Sequence, residues 1–165
     1  GLVGSTVLMV FNTRTLKHSL AGGLTIGFGL SFIYAALWEL RQGQVPLGLF
    51  LNWIAVTALV LWFLQGQLQH RGLGRFYIKP LSGWAWGLNT LNLLWMSLCL
   101  GLLYSGWEAL GPSPQYLVGA TGLATVAIGY HCWRNPSEMG QFQIAWGLEV
   151  LTASLLLLRG SSITE

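Results

Sequence analysis

Glu149 is the residue in this chain with the most chemistry to explain. It is the one formal charge inside any of five long apolar segments, and it sits at the centre of the last, Gln141–Leu158. A carboxylate at bilayer depth is costly unless it is paired, hydrated or protonated. At helical spacing Glu149 falls in line with Phe142, Ala145 and Thr152. The third apolar segment carries a second polar line, with Asn89, Asn92, Met96 and Cys99 at i, i+3, i+7 and i+10 on one face. By depth, Glu149 is level with Asn92 and with Thr121 or Thr125, while Asn52 lies further toward the outer side. No Lys or Arg is available at that level, so an ion pair within the chain is not expected.

The expected arrangement is a neutral carboxylic acid turned into the bundle, sharing hydrogen bonds with Asn92 and a threonine. Such a group can fix helix neighbours. It can also carry a proton or capture a cationic or hydroxyl-bearing ligand. The candidate ligand- or proton-binding residues are therefore Glu149, Asn92, Asn89, Asn52 and Thr125. His18 and His131 stand at equal depth on different helices and could ligate a haem or a pigment metal from both sides. No second histidine pair accompanies them, so no cofactor is required by the sequence. There is no CxxC, HExxH or Cys/His cluster, and no metal site is expected. Catalysis would call for two or more convergent acids, histidines or a metal cluster, and only Glu149 lies deep, so an enzyme is not the expectation. Cys99 and Cys132 fall in different segments at opposite depths and read as small apolar core residues, not as a disulfide.

These groups must be positioned by helices in lipid. The 165 residues are 53% hydrophobic and 8% charged, with no Asp, against about 25% charged in a soluble domain. The expected fold is all-α: a single polytopic membrane helical bundle over residues 1–165. It has five transmembrane helices, at about 19–38, 46–64, 84–104, 115–133 and 141–158. Breakers separate them: Gln42-Gly-Gln, the stretch 66–83, Gly111-Pro-Ser-Pro and Asn135-Pro-Ser. Leu2–Phe11 is apolar but too short to span, and reads as an interfacial segment, the end of a truncated helix or a leader remnant.

Placing the N-terminus in the cytoplasm puts Arg14, Lys17, Arg71, Arg75, Lys79 and Arg134 inside, and Arg41 and Arg159 outside. That asymmetry obeys the positive-inside rule. The basic residues are too scattered for a nucleic-acid footprint, and no nucleic-acid partner is expected. Trp38, Trp84, Trp86, Trp107 and Trp133 cluster near helix ends, where indole rings favour the headgroup layer. Gly23-Leu-Thr-Ile-Gly27 on the first span, and Ala120, Ala124 and Ala127 on the fourth with Gly122 and Gly129 beside them, are small-residue faces suited to close packing or self-association.

Asn92-Leu-Leu-Trp95 resembles an Asn-x-x-Trp element of the TspO family, which shares the size and the five-helix, Trp-rich character. The Trp- and Pro-rich first loop of that family has no counterpart here, and membership is not inferred from four residues. The absence of a catalytic constellation and the packing faces point first to a non-catalytic accessory or scaffold subunit of a larger membrane assembly. A small oligomeric transporter or channel with Glu149 and Asn92 in its pathway is the second reading. A lipid-, quinone- or pigment-binding protein is the third. The expected partners are the lipid bilayer and either further copies of the chain or other membrane subunits. The expected location is a bacterial inner membrane or a thylakoid-type membrane.

Overall fold

The computed structural model describes residues 2–16, 19–42, 44–71, 75–106 and 112–161. These residues form six helices and no strand: α1 (Leu2–Leu16), α2 (Ser19–Leu40), α3 (Leu47–His70), α4 (Arg75–Tyr104), α5 (Pro114–Arg134) and α6 (Glu138–Ser161). Four of them, α2, α3, α4 and α6, are long and apolar enough to cross a membrane. The protein is therefore a helical membrane bundle. All five expected segments are helical, but α5 is not among the four, because Gly, Thr, Tyr and His dilute its apolar residues.

Helix ends follow local chemistry. Pro114 opens α5, where its missing N–H is no loss. Ser137 Oγ accepts the Gly140 N–H at 3.1 Å and caps α6 just after the Asn135-Pro-Ser breaker. Three boundaries differ from the sequence reading. α3 runs on to His70, and α4 begins at Arg75, so most of the expected 66–83 loop is helical. Pro80 lies inside α4 and withholds the N–H that the Phe76 carbonyl would accept. Leu2–Phe11 is part of a helix that packs on α2. Thr6 lies beside Gly29, so the pair forms an antiparallel hairpin and the Leu2 end runs back along α2.

The chain divides into two compact units that share α3 and α4. One comprises Gly1–Val45 and Val60–Trp86, the other Pro46–Leu59 and Gly87–Glu165. In the first, α2 lies along the start of α4. Gly22 brings the α2 backbone against the Phe76 carbonyl, and a Cβ there would stand 2.6 Å from that oxygen. Gly27 faces the Trp84 ring, and Trp84 Nε1 donates to the Gly23 carbonyl at 2.9 Å. The Gly23–Gly27 face is thus occupied by an aromatic side chain. Trp62, deeply buried, meets Trp86 edge to face with centroids 5.7 Å apart.

The second unit holds a core of Leu51, Ala55, Leu93, Met96, Cys99, Leu100, Leu117, Ala120, Ala124 and Val150. α5 is its inner helix. Leu117, Ala120, Thr121, Ala124, Ala127, Ile128 and His131 are all buried along one stripe. Close approach here depends on missing side chains. A Cβ at Gly48 would collide with Tyr116, one at Gly119 would stand 2.9 Å from Asn52 Oδ1, and one at Gly147 would stand 2.5 Å from Thr125 Oγ1. These contacts align α5 parallel to α3 and antiparallel to α6.

Candidate functional site

The polar residues of the second unit gather on the buried face of α4. Asn89 is 0% and Asn92 1% exposed, and Met96 and Cys99 continue the same buried line. Asn89 Nδ2 donates to Gln143 Oε1 of α6 at 3.0 Å. Gln143, 2% exposed, donates from Nε2 to Thr90 Oγ1. Asn92 Nδ2 donates to the Leu51 carbonyl of α3 at 3.2 Å. Trp146 Nε1 donates to Ser97 Oγ at 3.0 Å. The result is a polar seam that ties α3, α4 and α6 together.

Within the seam, two acceptors lack a protein donor. Asn89 Oδ1 and Asn92 Oδ1 are buried and accept no hydrogen bond among the described residues. The orientation of the Asn92 amide follows from its partner, because the Leu51 carbonyl can only accept. A buried acceptor left without a donor costs about 1–3 kcal/mol.

Asn52 ties α3 to α5, donating from Nδ2 to the carbonyls of Gly48 and Tyr116 at 2.8 and 3.0 Å. Thr125 and Thr121 donate to carbonyls of their own helix, at Thr121 and Leu117. Thr125 also receives Gly147 against its side chain.

Glu149 is not in the seam, which corrects the expected inward orientation and the expected bond to Asn92. The buried stripe of α6 is Gly140, Gln143, Gly147, Val150 and Ser154, while Phe142, Ala145, Glu149 and Thr152 are exposed. Two requirements set this rotation. Gly147 must face Thr125, where a side chain does not fit, and Gln143 must reach Asn89. Together they point Glu149 outward, midway along a helix of 24 residues.

His131 is buried on α5, and His18 lies outside the described residues, so the pair is not placed. Among the described residues, no three of His, Cys, Asp and Glu stand together in a way that could hold a metal ion. Cys99 and Cys132 are free thiols.

Gln143 is the main residue that the sequence reading missed, with Thr90, Ser97 and Trp146 beside it. A signal for it existed. In lipid, small and polar residues turn inward while large apolar ones face the acyl chains, and Gly140, Gln143, Gly147 and Ser154 form such a line.

No family model matches the chain, and no curated protein and no solved structure is significantly similar to it.

Proposed function

We propose that this protein is a non-catalytic subunit of a larger membrane assembly, in which the outer face of α6 packs against another membrane-embedded chain. The observation that carries the reading is the exposure of Glu149 at the midpoint of α6, among exposed Phe142, Ala145, Leu148, Thr152 and Leu156. Facing acyl chains, that carboxyl costs on the order of several kcal/mol. Protein that covers it and offers a hydrogen-bond partner removes most of the cost. A bacterial inner membrane or a thylakoid-type membrane suits the charge pattern.

Five crossings remain the preferred topology, with α5 as the fifth. It packs between membrane-length helices and runs parallel to α3. The Ser19 end of α2 then lies on the cytoplasmic side, and α1, antiparallel to α2, leads back toward the membrane.

The transporter reading keeps one support, the unpaired amide oxygens of the α4 seam. It loses another, since Glu149 and Asn92 occupy different faces.

The test is native mass spectrometry of the particle purified from its own membrane in mild detergent, with an absorption spectrum taken on the same sample. The expected particle contains at least one polypeptide beyond the 18.1 kDa chain, and Glu149→Leu releases it. A wild-type monomer that stays monomeric in lipid nanodiscs overturns the proposal. A Soret band would turn attention to His131 and haem.

A further inference from the structure

We propose that the α4 seam is a hydration site, in which Asn89 Oδ1 and Asn92 Oδ1 accept hydrogen bonds from water held inside the second unit. The seam uses none of the exposed residues of α6. Both oxygens are buried and accept nothing from the protein among the described residues. Each amide nitrogen has a protein partner through one of its N–H groups, Gln143 Oε1 or the Leu51 carbonyl. The groups left wholly without a partner are the two oxygens, and what satisfies them must be a donor.

Residues three apart on a helix have Cβ atoms about 5–6 Å apart on one face, so the two amides stand close enough to serve a shared, small donor. The surroundings set its character. Leu51, Leu93 and Met96 are fully or almost fully buried beside the seam, and no carboxylate accompanies the amides. A cation would meet too few oxygens and no compensating charge. An alkyl ammonium carries that same charge into the core. Water is neutral, donates twice and occupies the least volume, and buried waters in proteins typically satisfy groups of this kind. The seam thus belongs to the polar sites that a membrane bundle keeps wet while its outer faces stay dry.

Radiolytic hydroxyl footprinting tests this on the intact protein in detergent or nanodiscs. The radiation converts bound water to hydroxyl radical at the place where it sits; the radical adds to a nearby methionine sulfur, and dissolved oxygen takes the second electron to leave the sulfoxide. Met96 is 0% exposed and lies one turn from Asn92, whereas Met139 is well exposed and serves as the reference. The expected result is oxidation of Met96 on the same timescale as Met139, slowed several-fold in Asn92→Leu. Wild-type Met96 that stays unmodified at doses oxidising Met139 overturns the proposal without recourse to any variant. So does Asn92→Leu with an unchanged Met96 rate in a particle of wild-type size and helicity.

Discussion

The tightest contacts in the second unit rest on hydrogen atoms where side chains would be, and this makes individual glycines unequal. A methyl group at Gly147 would stand 2.5 Å from Thr125 Oγ1, whose hydroxyl is already bound to the Thr121 carbonyl. Neither helix can yield without opening the α5–α6 packing. Gly147→Ala is expected to destabilise the protein by about 1–3 kcal/mol, the usual cost of overpacking a filled interior. Gly122, on α5 itself, has nothing within 4 Å of such a methyl group. Gly122→Ala should leave the midpoint of thermal unfolding in detergent unchanged or slightly raised, and equal losses for both variants would show that the contact at Gly147 is not specific. The sequence made Gly122 and Gly129 look like packing positions because they lie beside Ala120, Ala124 and Ala127. The alanines are buried as that spacing implies, but both glycines face open space. The Asn89–Asn92–Met96–Cys99 line was fully legible, because an apolar helix with one polar stripe has a single way to hide it. The phase of α6 was misread for the opposite reason. Its charged residue drew the polar line through Glu149, yet burial is decided by the residues that fit against a neighbour, and those were Gly147 and Gln143.

Helix boundaries were legible where capping residues act locally and obscure where tertiary contacts extend a helix. Pro80 falls in the stretch 66–83, which reads as a breaker before a span at 84–104. In the fold it lies within the first turns of α4, where the donor it removes would have served the Phe76 carbonyl. Gly22 lets the backbone of α2 approach that same carbonyl, and Trp84 fastens the pair one step further along by donating to the Gly23 carbonyl. Neither contact has a signal in local sequence, since the partners are separated by more than fifty positions. The fastening predicts a defined effect. Trp84→Phe keeps most of the ring against Gly27 and removes the N–H, so stability should fall by about 0.5–1.5 kcal/mol, the net value of one hydrogen bond. Trp84→Ala also strips the ring from Gly27 and should cost more, about 1–3 kcal/mol for a ring that is partly exposed. Unfolding in detergent followed by tryptophan-independent far-ultraviolet circular dichroism distinguishes the two. Trp84→Phe as damaging as Trp84→Ala would mean that the ring contributes little and that the α2–α4 contact is held by the hydrogen bond.

Charge placement and helix order together determine how the whole chain lies across the membrane, and α5 is the element on which the count turns. Its apolar content is lower than that of its neighbours, and its inner stripe of alanine, threonine and histidine explains why: these residues face protein, not lipid. A helix shielded by others needs less hydrophobicity to cross, since the transfer cost of its polar groups is met by protein contacts. The alternative, in which α5 stays on one side, would bring Ser113 and Arg134 to the same compartment; Arg134 and Arg159 would then exchange sides, leaving six basic residues inside and two outside, so charge alone does not decide the count. Ser113 and Arg134 are both exposed at the two ends of α5, which makes them suitable reporters. In a background with Cys99 and Cys132 replaced by alanine, Ser113→Cys should react with a membrane-impermeant maleimide added outside intact cells. Arg134→Cys should react only after the membrane is opened. Labelling of both from one side would reduce the crossings to four and place Arg159 in the same compartment as the Ser19 end of α2. The positive-inside balance would still be six to two, with Arg159 inside in place of Arg134, so the labelling decides what charge cannot, and Glu149 would stay at mid-depth in a helix of reversed direction.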